Sequence, residues 1–304
     1  MRNAFADELT HLAELDARVM LLSGDIGNKL FDSFKKVDAE RFINCGIAES
    51  NMMSVAAGLA INGLRPVVYT ITPFNTTRCF EQIRVDVCYH GAPVIIVGTG
   101  SGLSYAELGP THHSLEDLAI IRSLPGIQVI APCDEVEMRL SLRAALKSQG
   151  PTYIRIGKKG EPVIHKKDPT FEIGKAITIR KGNDVLIMVT GTLMTNVLAA
   201  ATILEKQGLS CQVTSLHTIK PFDYDHLKDI AKFKAIVTIE EHGKSGGLGG
   251  VVAEFLSSQL NHPRHLRLGT ADEFMHEVGD QVYAQKKYGL DSSGIASQIK
   301  KFLE

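Results

Sequence analysis

Glu49 is the residue of this chain best placed for acid–base chemistry. It stands in Cys45-Gly46-Ile47-Ala48-Glu49-Ser50-Asn51-Met52-Met53, where a strand ends and an Ala/Gly-rich helix begins. Taken alone, a carboxylate there also suits the positive end of a helix and needs no catalytic role. Buried among Ile47, Ala48, Met52 and Met53, it would have a raised pKa and could act as a proton-transfer partner near neutral pH. Farther on, Glu107-Leu108-Gly109-Pro110-Thr111-His112-His113 presents an imidazole after a Gly-Pro turn. Such a histidine can donate to a developing alkoxide or exchange a proton. The adjacent His113 reads more simply as a structural residue.

Three glycine-rich stretches fail as nucleotide motifs. Gly98-Thr99-Gly100-Ser101-Gly102-Leu103 follows a strand but has leucine at the third glycine position, and reads as a flexible active-site loop. Gly243-Lys244-Ser245 ends like a phosphate-binding loop, yet Thr238 stands where its first glycine belongs. Gly246-Gly247-Leu248-Gly249-Gly250 reads as a close-packed turn before a helix. No H-E-x-x-H set occurs.

The elements that must position these residues alternate between strand and helix. Strands are expected at Val19–Leu22, Val67–Tyr69, Val94–Val97, Val129–Ile130 and Tyr153–Ile156, with helices at Glu49–Ile61, Thr76–Tyr89, Leu115–Ser123 and Asp134–Ser148. A polar stretch with helix breakers follows, and we read residues 158–172 as a linker. Beyond it, strands are expected at Val185–Val189, Gln212–Leu216, Ala235–Ile239 and His265–Leu268, and helices at Met194–Gln207, Asp223–Ala231 and Leu248–Leu260. The pattern predicts an α/β chain of two doubly wound domains, 1–157 and 173–304, each a parallel sheet covered by helices.

Bulk properties narrow the function classes. The 304 residues are 44% hydrophobic and 22% charged with net charge −1, enough for two cores. The charge balance makes no electrostatic case for nucleic acid or an anionic membrane. No run reaches the roughly 20 apolar residues of a membrane span, and the amino terminus lacks a signal-peptide centre. The five cysteines are scattered, with no C-x-x-C pair. That argues for reduced thiols in a cytoplasmic protein and against a disulfide framework or a structural zinc.

The Glu49 and His112 segments, in that order, resemble the pyrimidine-binding half of thiamine-diphosphate enzymes of the transketolase and deoxyxylulose-phosphate synthase group. The likeness extends through Gly58-Leu59-Ala60-Ile61-Asn62-Gly63-Leu64-Arg65-Pro66-Val67, Tyr69-Thr70-Ile71-Thr72-Pro73-Phe74 and Arg78-Cys79-Phe80-Glu81-Gln82-Ile83-Arg84. It continues at Gly191-Thr192-Leu193-Met194 and Thr238-Ile239-Glu240-Glu241-His242, in what resembles a transketolase-type C-terminal domain, whose implied part is dimerisation. In that group, a glutamate in the same I-A-E context hydrogen-bonds the aminopyrimidine. The ring shifts to its imino form, whose nitrogen then removes the thiazolium proton. The resemblance thus implies Glu49 and His112 as catalytic residues, with Glu49, Phe74, Asp25 and Ile26 at the cofactor. Phe74 by itself reads as core, and Phe80 is the fallback aromatic contact.

His112, Arg78 and Lys158 are implied at the substrate, the last two for phosphate. Lysine there replaces the usual arginine and loses the bidentate fork. Leu108 stands where the group commonly has an aspartate for a substrate hydroxyl, so ordinary pentose phosphates are not the expected substrates. The implied activity is transfer of a two-carbon ketol unit from a ketose, phosphorylated on this reading, to an aldehyde. Rival readings are a decarboxylating synthase of deoxyxylulose-phosphate type, toward which Arg78 and Gly191–Leu193 lean, the beta subunit of a 2-oxoacid dehydrogenase, and a non-catalytic relic.

The group holds its diphosphate and divalent metal (Mg2+, Ca2+ or Mn2+) through a G-D-G signature in an amino-terminal module. Gly24-Asp25-Ile26 breaks that signature at its last position, and no metal ligands are expected in this chain. The expectation is therefore a carboxy-terminal subunit, a homodimer core that joins an N-terminal transketolase subunit in a two-plus-two heterotetramer.

Overall fold

The computed structural model describes residues 1–304, apart from the side chain of Asn28. The first half carries strands β1 (Val19–Ser23), β2 (Phe42–Asn44), β3 (Arg65–Ile71), β4 (Ile95–Thr99), β5 (Gln128–Ile130) and β6 (Thr152–Ile156). Its helices are α1 (Arg2–Leu15), α2 (Asp32–Val37), α3 (Glu49–Ile61), α4 (Phe80–Gln82), α5 (Asp117–Arg122) and α6 (Glu135–Lys147), with a π-helical stretch Ile83–Tyr89 continuing α4. The second half carries β7 (Ile177–Arg180), β8 (Val185–Val189), β9 (Cys211–Ser215), β10 (Thr218–Lys220), β11 (Ala235–Gly243) and β12 (Arg264–Thr270). Among these lie α7 (Met194–Glu205), α8 (Leu248–Leu256), α9 (Gln281–Lys287) and α10 (Ser292–Leu303).

Two sheets result, in the orders β10-β5-β6-β4-β3-β1-β2 and β12-β11-β8-β9-β7. Each is parallel except at one edge, where β10 runs antiparallel to β5 and β7 antiparallel to β9. The expectation of wholly parallel sheets is corrected there. β10 belongs to the second half by sequence yet closes the first sheet, pairing Thr218 with Ile130. The helix expected over Asp223–Ala231 is instead two short 3-10 turns, Tyr224–Leu227 and Ile230–Lys232.

Central strands are apolar on both faces, as a sheet covered by helices on both sides requires. Val68 and Ile96 face one core, whereas Val67, Tyr69, Ile95 and Val97 face the other, beneath α1 and α6. The core containing Val68 continues through Leu186, Met188, Ile236 and Leu248 of the second half, so the two sheets share buried apolar contacts. A buried ion pair reinforces this junction. Arg155 Nε donates to Asp117 Oδ2 at 2.8 Å, and Arg155 Nη2 donates to the Ser114 and Glu241 carbonyls. Removing one partner of such a pair typically costs about 3–5 kcal/mol, because the other charge stays buried. Among the described residues, no helix is long and apolar enough to cross a membrane.

Candidate active site

The residues singled out in the sequence come together along the carboxyl ends of adjacent parallel strands. Gly24–Ile26 follows β1, Cys45–Glu49 follows β2, Thr72–Phe74 follows β3, the Gly100–His112 loop follows β4 and Lys158 follows β6. That edge is where open α/β sheets bind ligands.

Glu49 opens α3, a helix that buries Met52, Met53, Ala56, Ala57 and Ala60. Its side chain is 3% exposed, and Arg78 Nη1 donates to its Oε2 at 2.9 Å. The expected apolar jacket is therefore only half right. Met52 and Met53 are buried, but Ile47 is 81% exposed and an arginine sits on the carboxylate. Gly24 packs closely against Thr70: an added Cβ would lie 3.0 Å from Thr70 Oγ1 and 3.1 Å from Thr70 Cβ. Asp25 next to it adopts φ 56°, a strained value that its hydrogen bond from Asn44 Nδ2 at 2.9 Å helps to hold. Ser23 Oγ donates to the Ile26 carbonyl at 2.7 Å and fixes the rest of the turn.

Phe74 connects Glu49 to His112. The Arg78 guanidinium lies 4.2 Å from the Phe74 ring centroid, and the His112 ring meets Phe74 edge-on at 5.3 Å. Arg78 thus rests on both Glu49 and Phe74. Phe80, the fallback, packs half-buried against the core. His112 also meets Tyr105 at 6.0 Å, and Lys158 Nζ sits 4.4 Å over the Tyr105 ring while pairing with Glu107. Leu108, between Glu107 and His112, is half-exposed. His113 points elsewhere, its Nε2 3.3 Å from the Ala106 carbonyl, in keeping with a structural role.

Desolvation, then the neighbouring His113, lowers the His112 pKa below its ordinary value, so the ring is neutral at pH 7. Its Nδ1 lies 2.9 Å from Thr111 Oγ1; if Thr111 donates that bond, Nε2 carries the proton and can serve as a donor. Burial and the nearby Glu49 push the Cys79 thiol up to about 12, which leaves it unreactive.

The glycine loop is closely packed. A Cβ on Gly100 would lie 1.9 Å from the Tyr105 ring, and one on Gly102 would lie 2.5 Å from Glu241 Oε1. Glu241 Oε1 accepts from Leu103 N at 2.7 Å, and Gln281 and Gln285 donate to the same carboxylate. Sequence reasoning missed Tyr105, Asn44 and the Arg155–Asp117–Glu241 assembly. Tyr105 alone carried a local signal, lying between the glycine loop and His112.

The residues present fit the pyrimidine end of thiamine diphosphate. They offer a buried carboxylate for ring nitrogens, an aromatic face for stacking, and the buried Thr70 Oγ1, which has no hydrogen-bond partner among the described residues. Comparison with known proteins agrees. Residues 1–161 match the family description "Transketolase, pyrimidine binding domain", and residues 174–295 match "Transketolase, C-terminal domain". The chain is similar to a subunit of the apulose-4-phosphate transketolase of Phocaeicola vulgatus, 33% identical over 308 residues, covering 100% of this chain and 97% of that protein. It is likewise similar to the 6-deoxy-6-sulfo-D-fructose transketolase subunit SqwH of a Clostridium species, 36% identical, covering 100% of this chain and 94% of that one. A solved structure described as a split-gene transketolase, an inactive β4 tetramer, superposes with TM-score 0.89 at 34% identity, covering 99% of this chain and 97% of that one. With both halves matched in order and full-length relatives above 30% identity, the chain belongs to the transketolase family.

Proposed function

We propose that this chain is the carboxy-terminal subunit of a thiamine-diphosphate-dependent transketolase that moves a two-carbon ketol unit from a ketose to an aldehyde. The observation that carries the reading is the continuous contact series Glu49–Arg78–Phe74–His112 at the carboxyl edge of the first sheet. Thiamine diphosphate, when bound, supplies the nucleophilic carbon that carries the two-carbon unit between donor and acceptor. Glu49 holds the pyrimidine by its carboxyl group and governs the protonation of that ring. Phe74 supplies an apolar face that orients the heterocycle, and the Asp25–Ile26 turn borders it. Arg78, which rests on Glu49 Oε2 and Phe74, would offer its guanidinium to an anionic substrate group.

His112, neutral and edge-on to Phe74, donates to the oxygen that gains negative charge as the new carbon–carbon bond forms or breaks. Lys158 supplies a cation for the anionic end of the sugar, with Glu107 as its resting partner. The relatives' names support an anionic sugar of variable kind, since one carries a phosphate and the other a sulfo group. The metal that the diphosphate requires is assigned to an N-terminal partner subunit, in a two-plus-two assembly.

Glu49→Gln in the reconstituted two-subunit enzyme tests this reading. The substitution keeps size and hydrogen-bonding capacity but removes the ionisable group. Turnover should fall by about 10²- to 10⁴-fold, the usual worth of a positioned acid–base group. Full turnover would overturn the assignment.

A further inference from the structure

We propose that Cys133, Glu137, His165 and His217 bind one divalent ion of the zinc class, joining α6, the connecting segment and the second sheet. Cys133 precedes the Asp134 N-cap of α6 and Glu137 lies in the first turn, where its Oε2 accepts from Cys133 N at 2.8 Å. The Cys133 sulfur, a Glu137 oxygen and a His165 ring nitrogen all lie within 4.8 Å of one another. Cys133 is 2% exposed, Glu137 0%, and the His165 side chain 8%. His165 Nε2 is already 3.0 Å from Glu137 Oε1. With bonds of about 2.3 Å to sulfur and about 2.0–2.2 Å to nitrogen or oxygen, tetrahedral donors lie roughly 3.3–3.7 Å apart, so shifts of about 1 Å would close Cys133, Glu137 and His165 around the ion, and a larger swing would bring in His217.

A second observation points to a ligand. His217 is fully buried, yet its Nε2 has no hydrogen-bond partner among the described residues. It interacts electrostatically with both Glu137 and His165. Its Nδ1 lies 2.8 Å from Thr218 Oγ1 and its ring stacks on Phe171 at 4.2 Å. A histidine whose Nδ1–H is held by an acceptor presents a free Nε2 lone pair, the usual state of a metal ligand. One thiolate and one carboxylate would balance the charge of a dication. Binding transfers the Cys133 thiol proton to solvent and forms the metal–sulfur bond, with no change of oxidation state.

The framework is built in advance. Asp134 caps α6 by accepting from Val136 N and Glu137 N, and its other oxygen accepts from Ile164 N and His165 N at 2.8 Å each. That carboxylate fastens the connecting segment to the helix start. The ligands come from three separate stretches of chain and include a single cysteine, so no C-x-x-C pair marks them in the sequence. The site lies apart from the Glu49–His112 series, so its role is to hold the two sheets together.

The test uses the full-length chain, stripped by chelator dialysis and titrated with Co2+ or Zn2+ alone. We expect one equivalent per chain, with Co2+ giving a sulfur-to-cobalt charge-transfer band and the strong d–d bands of four-coordination. Zn2+ should raise the melting temperature. Cys133→Ser should abolish the charge-transfer band, and His217→Gln should weaken binding by about tenfold or more. Cys211→Ser should leave the band intact. Absence of the band in the wild-type chain overturns the proposal even if the variants fail to fold, and so does a band that survives Cys133→Ser.

Discussion

Leu108 sits half-exposed on the loop that carries His112, with Glu107 and Lys158 paired beside it. An apolar side chain there cannot accept a hydrogen bond from a substrate hydroxyl, so the pocket should discriminate little in favour of 2-hydroxyaldehydes. Leu108→Asp should shift acceptor preference toward aldehydes with a hydroxyl next to the carbonyl by roughly tenfold or more, the worth of a hydrogen bond to a charged group. Competition between glycolaldehyde and an unhydroxylated aldehyde measures this. An unchanged ratio would show that Leu108 does not face the substrate. Glu49 and His112 were legible as residue types in context, whereas Phe74 entered only through the family resemblance. The Arg78–Glu49 pair was not legible, because residues 29 positions apart reveal no mutual contact until the fold is known.

At the scale of elements, α3 was legible to its ends because an Ala-rich run bounded by Glu49 and Asn62 has few alternatives. Strand β10 was not: three residues carry no periodicity, and its partner β5 lies in the other half of the chain. The turns replacing the Asp223–Ala231 helix reflect tertiary demands that local propensity does not record. The β11–β12 pair carries a measurable consequence. His265 on β12 shares a 2.9 Å hydrogen bond with Thr238 on β11. Burial, then Arg267 and His262, holds the imidazole down at about 4. The unfolded chain takes up that proton near pH 6.5, while the folded chain resists it until about pH 4. Stability from this group is therefore complete above about pH 6.5 and is lost as pH falls toward about 4, on the order of 3 kcal/mol. Denaturant melts across this window should show the decline, and His265→Gln should flatten it. An equal slope in the variant would remove His265 from the explanation.

On the proposed function, the molecule as a whole offers a binding edge for one end of a cofactor whose other end carries a diphosphate. Glu49, Phe74 and the Gly24–Ile26 turn address the heterocycle, and the ion pair and shared core between the sheets hold the His112 loop in place. The related split-gene protein that superposes along nearly its full length is described as an inactive β4 tetramer. The proposed split-subunit function predicts that the present chain folds and self-associates without turning over by itself. The most direct measurement is ketol transfer by the purified chain with magnesium and thiamine diphosphate, alone and after adding a polypeptide bearing the G-D-G module. The account predicts no turnover alone and turnover that rises to saturation at one partner per chain. Robust turnover by the chain alone would contradict it.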